Sequence, residues 1–154
     1  MPGDKTPRDS FTEMTELVLP QHSNVLGTAF GGTVLAWIDV CGAIAAQRHC
    51  HKVAVTAAID DVTFTAPIRV GDVVVLSARL NAAFRTSMEV EVEVKVEDAN
   101  TGHRTRCVDA FMTFVALGED GVPCEVPRLV AEGADDEQRA AAAKARREAR
   151  LNRR

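Results

Sequence analysis

The clearest periodic pattern in the chain lies between residues 88 and 97, where apolar and charged residues alternate. Met88 and the valines that follow at every second position form one face, and glutamates with one lysine form the other. A period of two residues is that of a β-strand with one face buried and the other in water. The pattern therefore predicts a long strand whose glutamates face solvent.

Similar strand-like runs lie on both sides of this segment. β-Branched and apolar residues dominate residues 10–20, 52–65, 72–84 and 104–117. Turn residues separate these runs, namely Pro20, Pro67, Gly71-Asp72 and Asn100-Thr101-Gly102. Long neighbouring strands with short connections predict an antiparallel meander.

Residues 33–49 have a different pattern, with apolar side chains on almost every side of a helical wheel. A helix of this length is about 24 Å long, and its all-round apolar character predicts a buried, central position. Combined with the strands, it predicts an α+β fold in which a curved antiparallel sheet wraps one long central helix.

The two ends of the chain differ from this central part, which we assign to one domain over residues 11–130. Residues 1–10 are polar and predicted to be disordered. Residues 131–154 contain many helix formers, but Leu151 is their only large apolar residue. They are therefore predicted to be a charged helix in solvent or a disordered tail. An anionic partner for the tail is an alternative that its basic residues leave open.

Charge and cysteine content narrow the function classes. Residues 135–154 carry a net charge of +3 and the remainder −7, so the body of the protein is acidic, which argues against nucleic-acid binding. No apolar stretch is long enough to span a bilayer, and the N-terminus does not resemble a secretory signal. Four irregularly spaced cysteines indicate reduced thiols in a cytoplasmic protein, with no disulfide frame or metal site.

Asp39 is the residue that most calls for an explanation. It is the only charged residue between Glu16 and Arg48, and it stands in the middle of the predicted helix. Burying an unpaired carboxylate costs on the order of several kcal/mol of desolvation free energy. On a helical wheel Asp39 faces small residues such as Gly32, Ala36 and Ala43, where another backbone or a ligand could approach closely. Such a stripe also serves helix packing, so this feature alone does not define a site.

Two features before Asp39 point in the same direction. Gly31 and Gly32 begin the helix and would present its free N–H groups without obstruction, which suits a developing oxyanion. A turn that requires the backbone freedom of glycine explains this Gly-Gly pair equally well. Asn24, in the preceding loop, could orient water or a carbonyl, although an asparagine here could equally close an Asx-turn.

These residues belong to a longer set of motifs that carries a resemblance. The segment NVLGTAFGGTVLAWID, followed by VTAAIDDVTFTAPIRVGD, FRTSMEVEVEV, AFMTFVAL and GVPCEVP, resembles the hotdog-fold acyl-CoA thioesterases of the cytosolic acyl-CoA hydrolase class. The motifs run in family order over residues 12–128. Phe30 and Phe84 stand where many relatives have His and Gly, which bears on acyl-chain preference and not on activity.

The resemblance implies a fold, an assembly and an activity. It implies a two-fold homodimer with a continuous sheet as the active unit, often assembled as a trimer of dimers, that hydrolyses acyl-CoA without a further cofactor or metal. Its catalytic pair matches Asn24 and Asp39, which would meet from opposite subunits. Coenzyme A would lie along the interface near Gly31 and the segment Arg85, Thr86 and Ser87.

We expect Asp39 to act as general base on a water, with direct carboxylate attack as a second route. The N–H of Gly32 would polarise the thioester carbonyl and Asn24 would position the water or carbonyl. A hydratase of the same fold is excluded, because it would need a His where Ile44 stands. A non-catalytic acyl-CoA-binding sensor or regulatory oligomer remains the alternative, although neither has need of a base at position 39.

Overall fold

The computed structural model describes residues 3–153 and contains one antiparallel sheet wrapped around a long helix. This confirms the predicted α+β fold class. The helices are α1 (Pro7–Ser10), α2 (Gly31–Cys50) and α3 (Ala134–Asn152). The strands are β1 (Thr12–Leu17), β2 (Val53–Phe64), β3 (Val73–Ala83), β4 (Ser87–Glu97) and β5 (Arg104–Leu117). Among the residues described, no helix is both long enough and apolar enough to cross a membrane.

The strands lie in the order β1-β3-β4-β5-β2, so the meander prediction is only partly right. β3, β4 and β5 follow one another as predicted, with a turn at Gly102. β2, however, pairs with β5 and not with β3. The connection of residues 65–72 can make this crossing, since eight residues reach well beyond the roughly 15 Å that three strand spacings require. β2 is therefore an edge strand within one chain.

Helix α2 packs against one face of the sheet, here called the inner face. Ile38, Cys41 and Ala45 are fully buried in the core. Gly42 allows the closest approach, because a Cβ there would lie 3.1 Å from the ring of Phe114 and 3.2 Å from the sulfur of Met112. This dense contact fixes α2 on the strands that carry the candidate site.

The opposite side of α2 is not buried within one chain, contrary to the prediction of a helix buried all round. Gly32, Ala36 and Val40 are exposed, and Val40 keeps 51% of its surface. Ile59 on edge strand β2 is 43% exposed and pairs with the buried Met112, so it lies on the same side of the sheet as α2. One chain therefore covers only one side of this apolar helix.

The glutamates of β4 also differ from prediction. Glu89 and Glu91 are buried, not solvated, with 2% and 9% of their surface exposed. Helix α3 covers them on the outer face of the sheet and supplies the countercharges, Arg146 for Glu89 at 2.7 Å and Arg139 for Glu91 at 2.6 Å. The alternation of apolar and charged residues correctly predicts the two faces of β4, but it does not indicate which element packs against the charged face.

The same contacts bear on the tail, which the sequence predicted to be a charged helix in solvent or a disordered tail. Residues 134–152 form a helix that lies on the sheet through charged pairs instead of apolar burial, and Ala143 is its one buried residue. Arg146 also lies over the ring of Phe111, with its guanidinium carbon 3.8 Å from the ring centre. The missing apolar stripe is thus replaced by arginines that match an acidic sheet face.

The N-terminal segment is more ordered than its polar composition predicts. Lys5 forms a parallel bridge with Leu129, and its ammonium donates to the carbonyl of Arg48 at the end of α2. Pro7 and Ser10 are buried in α1. Residues 1 and 2 of the predicted disordered segment lie outside the described residues.

His49 predicts a specific pH dependence of stability. It is fully buried, with Nε2 2.7 Å from the carbonyl oxygen of Pro127 and no partner for Nδ1 among the described residues. Burial lowers the pKa of His49 below its ordinary value of 6.5. The unfolded chain therefore binds a proton more readily than the folded chain, and the free energy of unfolding should fall as the pH drops below 6.5.

The expected slope from this one group is at most about 1.4 kcal/mol per pH unit. Urea unfolding between about pH 5 and 8, at fixed protein concentration, measures it. In His49→Gln, which keeps an N–H donor for Pro127, the slope should become shallower below pH 6.5. An unchanged slope in that variant would contradict the assignment.

Candidate active site

Asp39 lies in the middle of α2 and accepts a hydrogen bond from a neighbouring strand. The hydroxyl of Thr56 on β2 donates to Oδ1 of Asp39 at 2.5 Å. Hydrogen bonds to a carboxylate are short and strong, so this contact fixes the orientation of Asp39. It occupies one carboxylate oxygen, and Oδ2 has no hydrogen-bond partner among the residues that the structure describes.

The pairing of β2 with β5 places Thr56 on the face of the sheet that contacts α2. Thr56 pairs with Phe114 and Ala58 with Thr113, so Ala57 is an extra residue in the strand. Phe114 is fully buried against Gly42 on the inner face, and Thr56 lies opposite it. Asp39 is only partly buried in the single chain, so it does not carry the full desolvation cost expected from its apolar neighbours.

The side chain of Asn24 closes its own loop. Its Nδ2 donates to the hydroxyl of Thr28 at 2.8 Å, and its Oδ1 accepts from the backbone N–H of Leu26 at 2.9 Å. This is the Asx-turn arrangement that the sequence left as an alternative. Val25 and Leu26 at the loop tip are almost completely exposed. Within one chain the structure does not bring Asn24 and Asp39 into contact.

Gly31 and Gly32 form the exposed first turn of α2. Gly32 is exposed, a Cβ there would meet nothing within 4 Å, and an N–H group in the first turn has no partner within the helix. Beside this turn lies an open cavity of about 350 Å³. Its lining residues are Thr28, Ala29, Val34, Phe64, Thr65, Ala66, Pro67 and Ile68. An unpaired helix start next to a mixed polar and apolar cavity can receive a polarised carbonyl.

The predicted coenzyme A segment forms the turn between β3 and β4. The carbonyls of Arg85 and Thr86 accept from the N–H groups of Val126 and Ala116, each at 3.0 Å, so the backbone of this turn is fixed. Arg85 itself is exposed. Ser87 pairs with Val115, which pairs with Val55 next to Thr56. The turn is thus about 10 Å from the Asp39–Thr56 pair, two strand spacings away.

The sequence did not single out Thr56. One threonine in a β-branched run is ordinary strand composition, and only the register of β2 with β5 places it beside Asp39. A faint signal existed in the residue type, because a hydroxyl is the natural neutral donor to a carboxylate inside an otherwise apolar layer.

One group of carboxylates elsewhere has the spacing of a cation site. Oxygens of Glu91, Glu93 and Asp109 on the outer face lie within 4.8 Å of one another. Arg139 pairs with Glu91, and Arg106 pairs with both Glu93 and Asp109. The positive charge that such a cluster needs is supplied by arginines.

Comparisons with known proteins agree with this geometry. Residues 26–103 match the model of the thioesterase superfamily. Mouse acyl-coenzyme A thioesterase 11 is 41% identical over 99% of this chain, which spans only 25% of that longer protein. A solved structure of an apo-hexameric acyl-CoA thioesterase is 40% identical with a TM-score of 0.93, covering 98% of this chain and 97% of that one.

An acyl-CoA hydrolase from Staphylococcus aureus is a further structural neighbour. It was solved with butyryl coenzyme A, coenzyme A and coenzyme A disulfide, and is 34% identical with a TM-score of 0.92, covering 97% of this chain and 92% of that one. Variants of it with one asparagine, one aspartate or one threonine replaced by alanine have also been solved. By the family match over half of its length and by the hotdog fold that it shares with these enzymes, the chain belongs to the thioesterase superfamily.

Proposed function

We propose that this protein hydrolyses acyl-CoA thioesters to a free acid and coenzyme A, with Asp39 as the general base. The observation that carries the proposal is the carboxylate of Asp39, held by the Thr56 hydroxyl at 2.5 Å on an exposed, small-residue side of α2. A folding role alone gives no reason for an acid in this apolar helix. A general base that is held in place and keeps one free carboxylate oxygen provides that reason.

The spacing of the candidate residues supports this assignment. Asn24, Asp39 and Thr56 are separated by 15 and 17 residues along the chain. The asparagine, aspartate and threonine replaced in the S. aureus enzyme have the same two separations. We infer that the three residues correspond and form one catalytic group.

The helix geometry favours a site built from two subunits. Gly32 and Asp39 lie on one helix, about 10 Å apart along its axis at 1.5 Å per residue. The general base must lie about 3 Å from the attacking water, and the oxyanion donor about 3 Å from the oxygen of the carbonyl that this water attacks. We therefore place Asp39 of one subunit opposite Asn24 and the helix start of its partner, with the exposed stripe of α2 and the free edge of β2 as the two-fold interface.

The chemistry follows from these positions. Oδ2 of Asp39 takes a proton from water, whose oxygen attacks the thioester carbonyl. The N–H of Gly32 stabilises the oxyanion, with Asn24 orienting the water or the carbonyl. The C–S bond then breaks, and coenzyme A leaves as a thiolate, which is a good leaving group because a thiol has a pKa of about 8.5. Direct attack by Asp39 through an anhydride is the second route.

The remaining assignments are part of the same proposal. Coenzyme A lies near Gly31 and the Arg85, Thr86 and Ser87 turn, where the exposed guanidinium suits a phosphate. Dimers assemble further as a trimer of dimers, in keeping with the hexameric neighbour. We also propose a cytoplasmic location, since all four cysteines are free.

Subunit complementation provides a direct test of the two-subunit site. Asn24→Ala and Asp39→Ala should each be almost inactive alone. Mixed by co-expression, they should recover about a quarter of wild-type activity, because half of the dimers are mixed and each holds one intact site of two. Free-thiol release measures this.

A second mixture serves as the control, in which subunits carrying both replacements are combined with wild-type subunits at the same ratio. For a shared site it should give about a quarter of the wild-type activity, because each site of a mixed dimer then contains one replaced residue and only wild-type dimers are active. About half of the wild-type activity would instead indicate that both residues of a site come from one chain. No recovery in the mixture of Asn24→Ala with Asp39→Ala would contradict a site shared across the interface.

A panel of acyl-CoA substrates, short to long, separates hydrolysis from the sensor alternative. Release of thiol with at least one of them supports the proposed function. Tight binding of coenzyme A with no turnover of any substrate would favour a sensor instead.

A further inference from the structure

The last turn of α3 reaches the edge strand that carries Thr56. Nη1 of Arg150 lies 2.8 Å from Oδ2 of Asp60 on β2, and Nη2 of Arg153 lies 3.5 Å from Oδ1. The side chain of Asp60 is only 9% exposed and that of Arg150 16%. A charge-assisted pair with so little solvent is directional and much less screened than a surface pair.

β2 is the strand that most needs such a contact. It pairs with β5 alone within the chain, and its register shifts twice, between Thr56 and Ala58 and again between Asp60 and Thr63. Asp61 has a φ of 41°, in the left-handed region that few residues other than glycine adopt. Such a conformation persists only where its surroundings hold it, and Arg150 binds the residue immediately before it.

The first irregularity links the two faces of the sheet. In an uninterrupted strand residues 56 and 60 would point to the same face. Thr56 lies opposite Phe114 on the face toward α2, and the extra residue Ala57 shifts Asp60 to the other face, opposite Phe111, whose ring is covered by Arg146 of α3. One short segment thus bonds to Asp39 on one face and to α3 on the other.

We propose that Arg150 is a positioning residue for the active site. By binding Asp60 it fixes the bulged half of β2, and through it the hydroxyl of Thr56 that orients Asp39. Helix α3 thereby contributes to catalysis, although it contacts neither Asp39 nor the first turn of α2. The kinetic part of this inference rests on the proposed function, and the structural part does not.

The test compares two arginine-to-alanine variants on the same helix in the full-length protein. Arg150→Ala should lower kcat about 10-fold with KM little changed, since small displacements of a catalytic group have effects of this order or larger. It should also speed backbone hydrogen exchange in residues 57–64. Arg139→Ala removes an equal charge and an equally close pair, with Glu91 on β4, which is separated from β2 by β5. It should reduce stability but leave kcat and the exchange of residues 57–64 unchanged.

Two further variants separate positioning from a general loss of structure. Arg150→Lys, which keeps the charge, should restore part of kcat. In a Thr56→Val background, Arg150→Ala should cause no additional fall, because the route through the hydroxyl is already lost. An additive effect in that background would overturn the route through Thr56.

The outcomes distinguish this inference from the proposed function. A wild-type protein that hydrolyses no acyl-CoA overturns the function. Unchanged exchange of residues 57–64 in Arg150→Ala overturns the inference, whether or not hydrolysis occurs. Equal losses of kcat in Arg150→Ala and Arg139→Ala would also overturn it, since they would reflect only the docking of α3.

Discussion

Asp39→Asn is expected to lower kcat for acyl-CoA hydrolysis by about 10²–10⁴-fold, the usual contribution of a general base. Asparagine has the size of aspartate, and its Oδ1 can still accept from the Thr56 hydroxyl, so the local structure should persist. The amide cannot take a proton from water at neutral pH. KM should therefore change little while thiol release nearly stops.

Glu119→Gln is the matched control for this experiment. It makes the same carboxylate-to-amide change in an exposed turn after β5, so its kcat should equal that of the wild type. Full hydrolysis of every acyl-CoA by Asp39→Asn would show that Asp39 is not the base. The result would also remove the main support for the proposed function.

Arg146→Ala is expected to cause the largest loss of stability, about 3–5 kcal/mol, because it leaves a buried charge without its partner. Nε and Nη2 of Arg146 bind the two oxygens of Glu89 at 2.7 and 2.9 Å, and only 3% of the Glu89 side chain is exposed. Urea unfolding at fixed protein concentration measures the loss.

Arg104→Ala provides the comparison, since Arg104 pairs with Glu97 at 3.0 Å but both side chains are about one-third or more exposed. Its loss should cost less than about 1 kcal/mol. Adding Glu89→Gln to Arg146→Ala should recover part of the stability, because a neutral amide is cheaper to bury. Equal losses for Arg146→Ala and Arg104→Ala would show that the buried pair contributes no more than a surface one.

Much of the fold could be predicted from local patterns, since a strand period of two and an all-round apolar helix are properties of short segments. The alternation from Met88 to Val96 correctly identified β4 and its inner face. What it could not identify is the cover over Glu89 and Glu91, because that cover comes from arginines some fifty residues later. Charged pairs between distant segments leave no periodic signature.

The candidate site shows the same division. Asp39 could be identified from the sequence because a lone charge in an apolar helix is locally anomalous. Thr56 could not, since its role depends on the pairing of β2 with β5, a strand some fifty residues later in the chain. The meeting of Asn24 with Asp39 stays a prediction, because the two residues belong to different subunits in the proposed dimer.

The free edge of β2 affects how readily an unassembled subunit aggregates. A newly folded subunit presents unpaired backbone groups along this strand, flanked by exposed Val53, Val55 and Ile59. Such an edge is a template for pairing with any other extended chain. The proposed partner strand blocks it, so association would protect against aggregation as well as complete the site. Variants that weaken the interface should then be lost to precipitation before their catalytic defect can be measured.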